Sequence, residues 1–347
     1  MTRNPPRPRT RAGGEPLDEE GLIARFLAPF PKGERVVIGP GSDCAAVTVA
    51  RGQKLVSTTD AVVEGVHFDW RWFSPEQVGH KALAVNLSDL AAAGAQPRWF
   101  LCALGIPRRD TAAVSGAAAD ISGRAQGIAR GMAKLARRFG CALIGGNVTS
   151  AREWSITITA LGESPRPLSR TGAKPGDAIV VCGKVGAAAA GLRALRESRA
   201  ASVKTQPRIG AAQSGKSSAR PRTAALAQQM PEPLLSAGLS ARGVASAAID
   251  VSDGFLRDLQ RLCDASGAGA EVDCDLLPLG PSATLDDALT GGEDYALVFA
   301  VPPRRLARLA GVDCVQVGRF AGPRGIRLTQ SGRPRALPAR AGFDHLR

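Results

Sequence analysis

Residues 75–95 read PEQVGHKALAVNLSDLAAAGA, a helix candidate with Pro75 near its start and Gly94 near its end. Its body is a nearly continuous apolar run, interrupted by Asn86, Ser88 and Asp89. Burying such polar groups costs several kcal/mol unless each is paired. The rest of the chain therefore has to supply those partners.

Around this helix, strand and helix segments alternate. KLVSTTDAVV, WFLCALGI, CALIGG and WSITITALGE have strand character, and residues 111–138 form a long Ala- and Arg-rich helix. GDAIVVCG opens a second unit, followed by the helix VGAAAAGLRALRES. GVASAAIDVSDGFLRDLQRLCDASG then gives a strand, a tight polar turn and a helix. The parse is α/β (α+β) in two halves, within what 347 residues allow. Its expected boundaries are a disordered tail over 1–16, an N-terminal domain over 17–165 and a C-terminal domain over 166–347. Residues 197–229, rich in Ser, Ala, Arg, Gln and Pro, lack periodicity and read as a flexible basic insert.

The formal net charge of +14 raises nucleic-acid binding as a question. Residues 1–14 hold four Arg and no acid, and residues 193–224 hold eight basic residues and one acid. Most of the excess thus lies in segments read as flexible, and the one Tyr and few other aromatics leave little for base stacking. A nucleic-acid partner is not expected. No run of about 18 apolar residues marks a membrane span. Seven cysteines scattered without a C-x-x-C pair suggest reduced thiols in a cytoplasmic protein.

Residues 210–217, GAAQSGKS, match the letters of a phosphate-binding P-loop. Such a loop follows a buried strand and opens a helix. ASVKTQPRI before it is not a buried strand, and Pro221 stands where the helix should run. The match is read as accidental.

A set of acidic residues has better surroundings. Asp43 lies in a Gly-rich turn, Asp60 follows LVSTT at a strand end, and Asp89 lies in the apolar helix. Asp250 and Asp253 flank Ser252 at a strand end and helix start, where the helix N-terminus favours phosphate oxygens. A lone Asp at a helix start is commonly a cap. Five such sites over both halves, each beside Gly, Ser or Thr, point instead to Mg²⁺ shared with a polyphosphate.

The same segments carry a resemblance. STTDAVVEGVHF, HKALAVNLSDLAAAGAQPRW, LIGGN, LSRTGAKPGD, AIDVSDG, LTGGEDYAL and GFDH, in this order, resemble the thiamine-monophosphate kinases. That family sits in the superfamily of aminoimidazole-ribotide synthetase and selenophosphate synthetase. The resemblance covers about residues 17–347 apart from the insert. It implies ATP-dependent, Mg²⁺-assisted phosphorylation of thiamine phosphate to thiamine diphosphate by a homodimer paired through its N-terminal domains. It also implies Asp43, Thr58, Thr59, Asp60, Asp89, Asn147, Asp250 and Asp253 as Mg²⁺ ligands. Gly146, Asn147, Arg170 and Ser252 fall at ATP positions, and His67, Glu293 and Phe343 at thiamine-phosphate positions. No general base is implied, because the acceptor phosphate is already ionised.

Three departures stand out. Ser42-Asp43 replaces the family's Asp-Asp, Asn147 replaces a carboxylate in the GGD motif, and MPEPLLSAG is a degenerate Pro-Arg segment. Two alternatives stay open at this point: a catalytically weak thiamine-phosphate binder, and another small-molecule ATP enzyme of the superfamily.

Overall fold

The computed structural model describes residues 19–107, 117–204, 219–322 and 324–343. The first half runs α1 (Glu19–Leu27), β1 (Val36–Ile38), β2 (Ala46–Val47), β3 (Lys54–Val63), α2 (Pro75–Ala92), β4 (Gln96–Pro107), α3 (Ala117–Phe139), β5 (Ala142–Ala151) and β6 (Ser155–Ser164). Its sheet has the order β3-β6-β4-β5. The β4–β5 pair is parallel and the other two pairs are antiparallel.

Helix α2 forms where the sequence places it. Ser74 caps it: its hydroxyl accepts from the Gln77 N–H, and the Gln77 side chain accepts in turn from the Ser74 N–H at 2.8 Å. Gly94, with φ of +59°, takes the left-handed conformation that ends the helix. Between these ends α2 is buried on nearly every side. Leu83, Leu87 and Leu90 are fully buried, each stabilising the fold by about 1.5–3 kcal/mol. On one side α2 crosses α3 with the backbones in contact. A Cβ added at Gly79 would lie 1.9 Å from the Ile128 carbonyl oxygen, and one at Gly131 would lie 1.9 Å from that of Glu76.

The second half runs β7 (Ala178–Cys182), α4 (Ala187–Lys204), α5 (Ala219–Gln229), α6 (Leu235–Ala241), β8 (Ala247–Asp250), α7 (Phe255–Ser266), β9 (Gly269–Asp273), α8 (Leu285–Thr290), β10 (Leu297–Val301), β11 (Cys314–Ala321), β12 (Gly325–Gln330) and β13 (Arg333–Arg335). Its sheet has the order β13-β12-β9-β11-β7-β10-β8. Strands β7, β8 and β10 are buried at every residue. Alternate side chains serve different cores: Ala178, Val180, Leu297, Phe299 and Val301 join the core that holds α2, while Ile179, Val181, Val298 and Ala300 join the core that holds α7.

Two expectations need correction. The thiols are not all reduced, because Cys182 and Cys314 form a disulfide. They lie 132 residues apart, but the β7–β11 register sets them opposite each other, which their spacing in sequence does not reveal. Nor is 197–229 aperiodic throughout: α4 runs to Lys204, and α5 covers Ala219–Gln229. Pro221 sits in the first turn of α5, where its missing N–H has no intrahelical acceptor to lose. The stretch 210–217 lies outside the described residues. The last described element before it is α4, a helix rather than the buried strand a P-loop needs.

Candidate active site

A cleft of about 800 Å³ is lined by both halves. The first half contributes Asp60, His67 and Trp72, and the second contributes Ser252, Asp253, Glu293 and Phe343. Carboxylates gather around the cleft, Asp60 and Asp253 in its lining. Strand alternation puts Thr58 and Asp60 of β3 on one face. The Thr58 hydroxyl donates to Asp89 of α2 at 2.5 Å. The preceding residue of the same apolar helix, Ser88, donates to Asp250 of β8 at 2.8 Å. Ser88 and Asp89 are thus paired with partners outside the helix, while the Asn86 amide donates to the Ala82 carbonyl oxygen at 3.1 Å and its buried Oδ1 is left without a partner among the described residues.

These acids raise one another's pKa. Asp250 is pushed up to about 8, first by burial and next by the charge of Asp89. Asp60 keeps solvent contact but is crowded by the cleft walls. Desolvation, then Asp89 and Asp253, push it up to about 6. Burial also raises Asp89, against the pull of the Thr58 hydrogen bond and the Arg170 charge. Asp253 is compensated differently, by Arg261 at 2.6 Å.

The turn after β8 is shaped by a residue the sequence reading missed. Asp258, buried in the first turn of α7, accepts from the N–H groups of Ser252, Asp253 and Gly254 at 3.0, 2.9 and 3.2 Å. This corrects the expectation that the helix start receives phosphate, since those three amides already have an acceptor. The signal was an acid a few residues beyond VSDG, within reach of its own turn.

Beside these acids the cleft is built on the GGEDY segment. Glu293 and Tyr295 have φ of +66° and +52°, strained for side chains with a Cβ. They are held there because the Glu293 and Tyr295 N–H groups donate to the Ser252 and Val251 carbonyls at 2.7 and 2.8 Å. Gly292 fits where a Cβ would lie 2.6 Å from the Ser252 carbonyl oxygen. The Asp294 carboxylate accepts from the Gly186 and Ala188 N–H groups at 2.6 and 3.0 Å, which fixes the start of α4. Burial pushes its carboxyl up to about 7.

Lys81, fully buried in α2, was also missed, although a lysine inside an apolar run is itself a signal. Its ammonium lies 2.7 Å from the Glu293 carboxylate and donates to the His67 carbonyl at 2.9 Å. It thereby ties together two of the residues expected to bind substrate. The His67 ring accepts from the Val63 N–H through Nδ1 at 3.2 Å. Phe343 is half exposed at the cleft, with its N–H donating to the Asp253 carbonyl at 2.9 Å.

Thr58, Asp60, Asp89, Asp250 and Asp253 thus converge, with Arg170 beside Asp89 and Ser252 in the adjoining turn. His67, Glu293 and Phe343 share the same cleft. Four expected residues stand elsewhere. Asp43 is exposed in the turn between β1 and β2 and does not line the cleft. Thr59 turns away from the face of Thr58 and Asp60 and bonds to the Ile158 carbonyl and the Thr159 hydroxyl at 3.0 and 3.1 Å. Gly146 and Asn147 lie on β5, paired with Cys102 and Ala103 of β4 and separated from β3 by two strands. Gly146 is required by that pairing, since a Cβ would lie 2.0 Å from the Cys102 carbonyl oxygen.

Among the described residues no group of three His, Cys, Asp or Glu side chains is arranged to enclose a metal ion unaided. The acidic cluster nevertheless fits Mg²⁺, which commonly takes one or two carboxylates and completes its shell with water and substrate phosphates. The raised carboxyls of Asp60 and Asp250 mark negative charge that a divalent ion would relieve.

Comparison with known proteins agrees with this geometry. Residues 41–164 match the AIR synthase related protein N-terminal domain, and residues 174–329 match the corresponding C-terminal domain. The thiamine-monophosphate kinase of Haemophilus influenzae is 34% identical over 95% of this chain and 98% of its own. The crystal structure of thiamine-monophosphate kinase from Stenotrophomonas maltophilia superimposes with a TM-score of 0.74 at 32% identity, covering 91% of this chain and 97% of that one. The complex of AaThiL with AMPPCP and TMP superimposes at 0.70 and 26% identity, over 95% of this chain and 97% of that one. With both of its halves matched and its relatives aligned almost end to end, the chain belongs to the AIR synthase related family, among the thiamine-monophosphate kinases.

Proposed function

We propose that this chain transfers the γ-phosphoryl group of ATP to thiamine phosphate, giving thiamine diphosphate. The observation that carries this reading is the convergence of Asp60, Asp89 and Asp250 from both halves, with Asp60 lining a cleft that also holds His67 and Glu293.

The acceptor phosphate is ionised at neutral pH, so the cleft needs no residue to deprotonate it. The obstacle is bringing two polyanions together in line. Asp60, Asp89 and Asp250, with Thr58 and Asp253 beside them, would hold Mg²⁺, which supplies charge neutralisation and alignment of the phosphates when bound. Arg170, close enough to Asp89 to lower its pKa, adds a fixed positive charge on the nucleotide side. Beside the acids, the Lys81–Glu293 pair and the Phe343 ring orient the organic part of the acceptor, the ring by stacking.

Purified chain incubated with ATP, Mg²⁺ and thiamine phosphate should yield thiamine diphosphate, resolved by chromatography. Binding of thiamine phosphate with no product after long incubation would leave only a binding role. Pairing of two copies through the first half is part of the reading. The exposed Val37, Ile38 and Leu55 of that half support it, and sedimentation tests it. Among the described residues no helix is long and apolar enough to cross a membrane, and the reading places the reaction in the cytoplasm.

A further inference from the structure

Helix α5 faces the wrong way for a helix held by its apolar side chains. Leu226 is 49% exposed, while Gln228 and Gln229 are buried to 4% and 8%. A buried amide destabilises the fold unless its hydrogen bonds are made, so the partners have to explain the orientation. Gln228 Nε2 donates to Glu293 Oε2, and Gln229 Nε2 donates to the main-chain oxygen of Trp72. Gln229 Oε1 accepts from Gln77 Nε2 at 3.1 Å. Glu293 and Trp72 come from different halves and both line the cleft, as does Gln228 itself. The second oxygen of Glu293 faces Lys81 at 2.7 Å. The carboxylates of Asp89, Asp250 and Asp253 are held by other groups, Thr58, Ser88 and Arg261.

Helix α5 is pressed onto α4 as well. A Cβ added at Gly191 would lie 2.1 Å from the Ala224 carbonyl oxygen, so the two backbones touch. Leu192 and Arg196 of α4 extend the same wall of the cleft.

We propose that Gln228 and Gln229 are positioning residues for the acceptor end: Gln228 fixes the Glu293 carboxylate, and Gln229 fixes the Trp72 loop opposite it. The proposal rests on reading the cleft as the site that takes thiamine phosphate. Helix α5 is then a wall of that site, and its loss weakens the acceptor while leaving the nucleotide alone.

The test uses the full chain with Gln228→Met, which keeps the volume without the donor, and Gln228→Glu, which sets a second carboxylate against Glu293. Calorimetry reads binding of thiamine phosphate and, separately, of AMPPCP, and turnover is measured in parallel. Both variants should bind thiamine phosphate about tenfold more weakly, as expected for a lost hydrogen bond to a charged group, with AMPPCP affinity unchanged. Unchanged thiamine-phosphate binding in both variants overturns the proposal. So does an equal weakening of both ligands, which is general structural loss. A wild-type chain that binds thiamine phosphate without turnover sinks the kinase reading alone, and one that does not bind it sinks both.

Discussion

The hydroxyl of Ser88 donates to the carboxylate of Asp250 at 2.8 Å, joining α2 to β8 across 162 residues of sequence. This bond favours the charged form of an acid that burial holds up to about 8. Ser88→Ala removes it, and the acid limb of the kcat/KM profile should move upward by about one pH unit, the equivalent of one such bond. A limb that stays in place shows that Ser88 does not set the charge on Asp250.

Stability should fall as the pH of the metal-free chain rises. Asp60 and Asp250 are held up to about 6 and about 8, above the ordinary 3.8, so the folded state binds more protons than the unfolded state between those limits. Their contribution is full below the unfolded pKa and is lost as pH passes the folded one. Above pH 6.5 the slope comes chiefly from Asp250 and the similarly raised Asp294. Asp250→Asn should flatten the fall of Tm between pH 6.5 and 8, and Mg²⁺ should restore the wild-type Tm at pH 8. An equal slope in variant and wild type contradicts this assignment.

Lys81→Met breaks an ion pair whose ammonium is fully buried. Removing one partner of such a pair commonly costs about 3–5 kcal/mol, and the partial exposure of Glu293 puts this case near 3. Urea denaturation gives the value. A loss below about 1 kcal/mol would mean that the pair behaves like an exposed one.

Two glycines of α3 should respond to alanine with opposite signs. At Gly131 a Cβ would lie 1.9 Å from the Glu76 carbonyl oxygen, so α2 and α3 must separate, at about 1–3 kcal/mol. At Gly123 nothing lies within 4 Å, and alanine should stabilise by up to about 1 kcal/mol. Thermal unfolding of both variants checks the contrast; equal shifts would place the helix crossing elsewhere.

Helix α2 and the β8–turn–α7 unit were legible in the sequence because their signals are local. Pro75 and Gly94 mark the ends of α2, and a polar turn follows an apolar strand at Asp250. Asp60, Asp89, Asp250 and Asp253 were legible as a set because each interrupts an apolar or Gly-rich stretch. Where the partners are remote, the sequence was silent. Helix α5 reads as a solvated insert because the groups that justify burying Gln228 and Gln229 are Glu293 and Trp72, 65 and 157 residues away. The Cys182–Cys314 bond depends on strand register. Asp43 and Asn147 carry the right chemistry, but Asp43 sits in an exposed turn and Asn147 on β5, separated from β3 by two strands.

Strands β7 and β10 lend alternate side chains to two different cores, one of them built around a helix from the opposite half. Cutting the chain near its midpoint would strip one row of those strands of its cover and open one side of α2 to water. The halves are therefore not beads on a string that could be traded separately between proteins. They should melt together, in a single calorimetric peak.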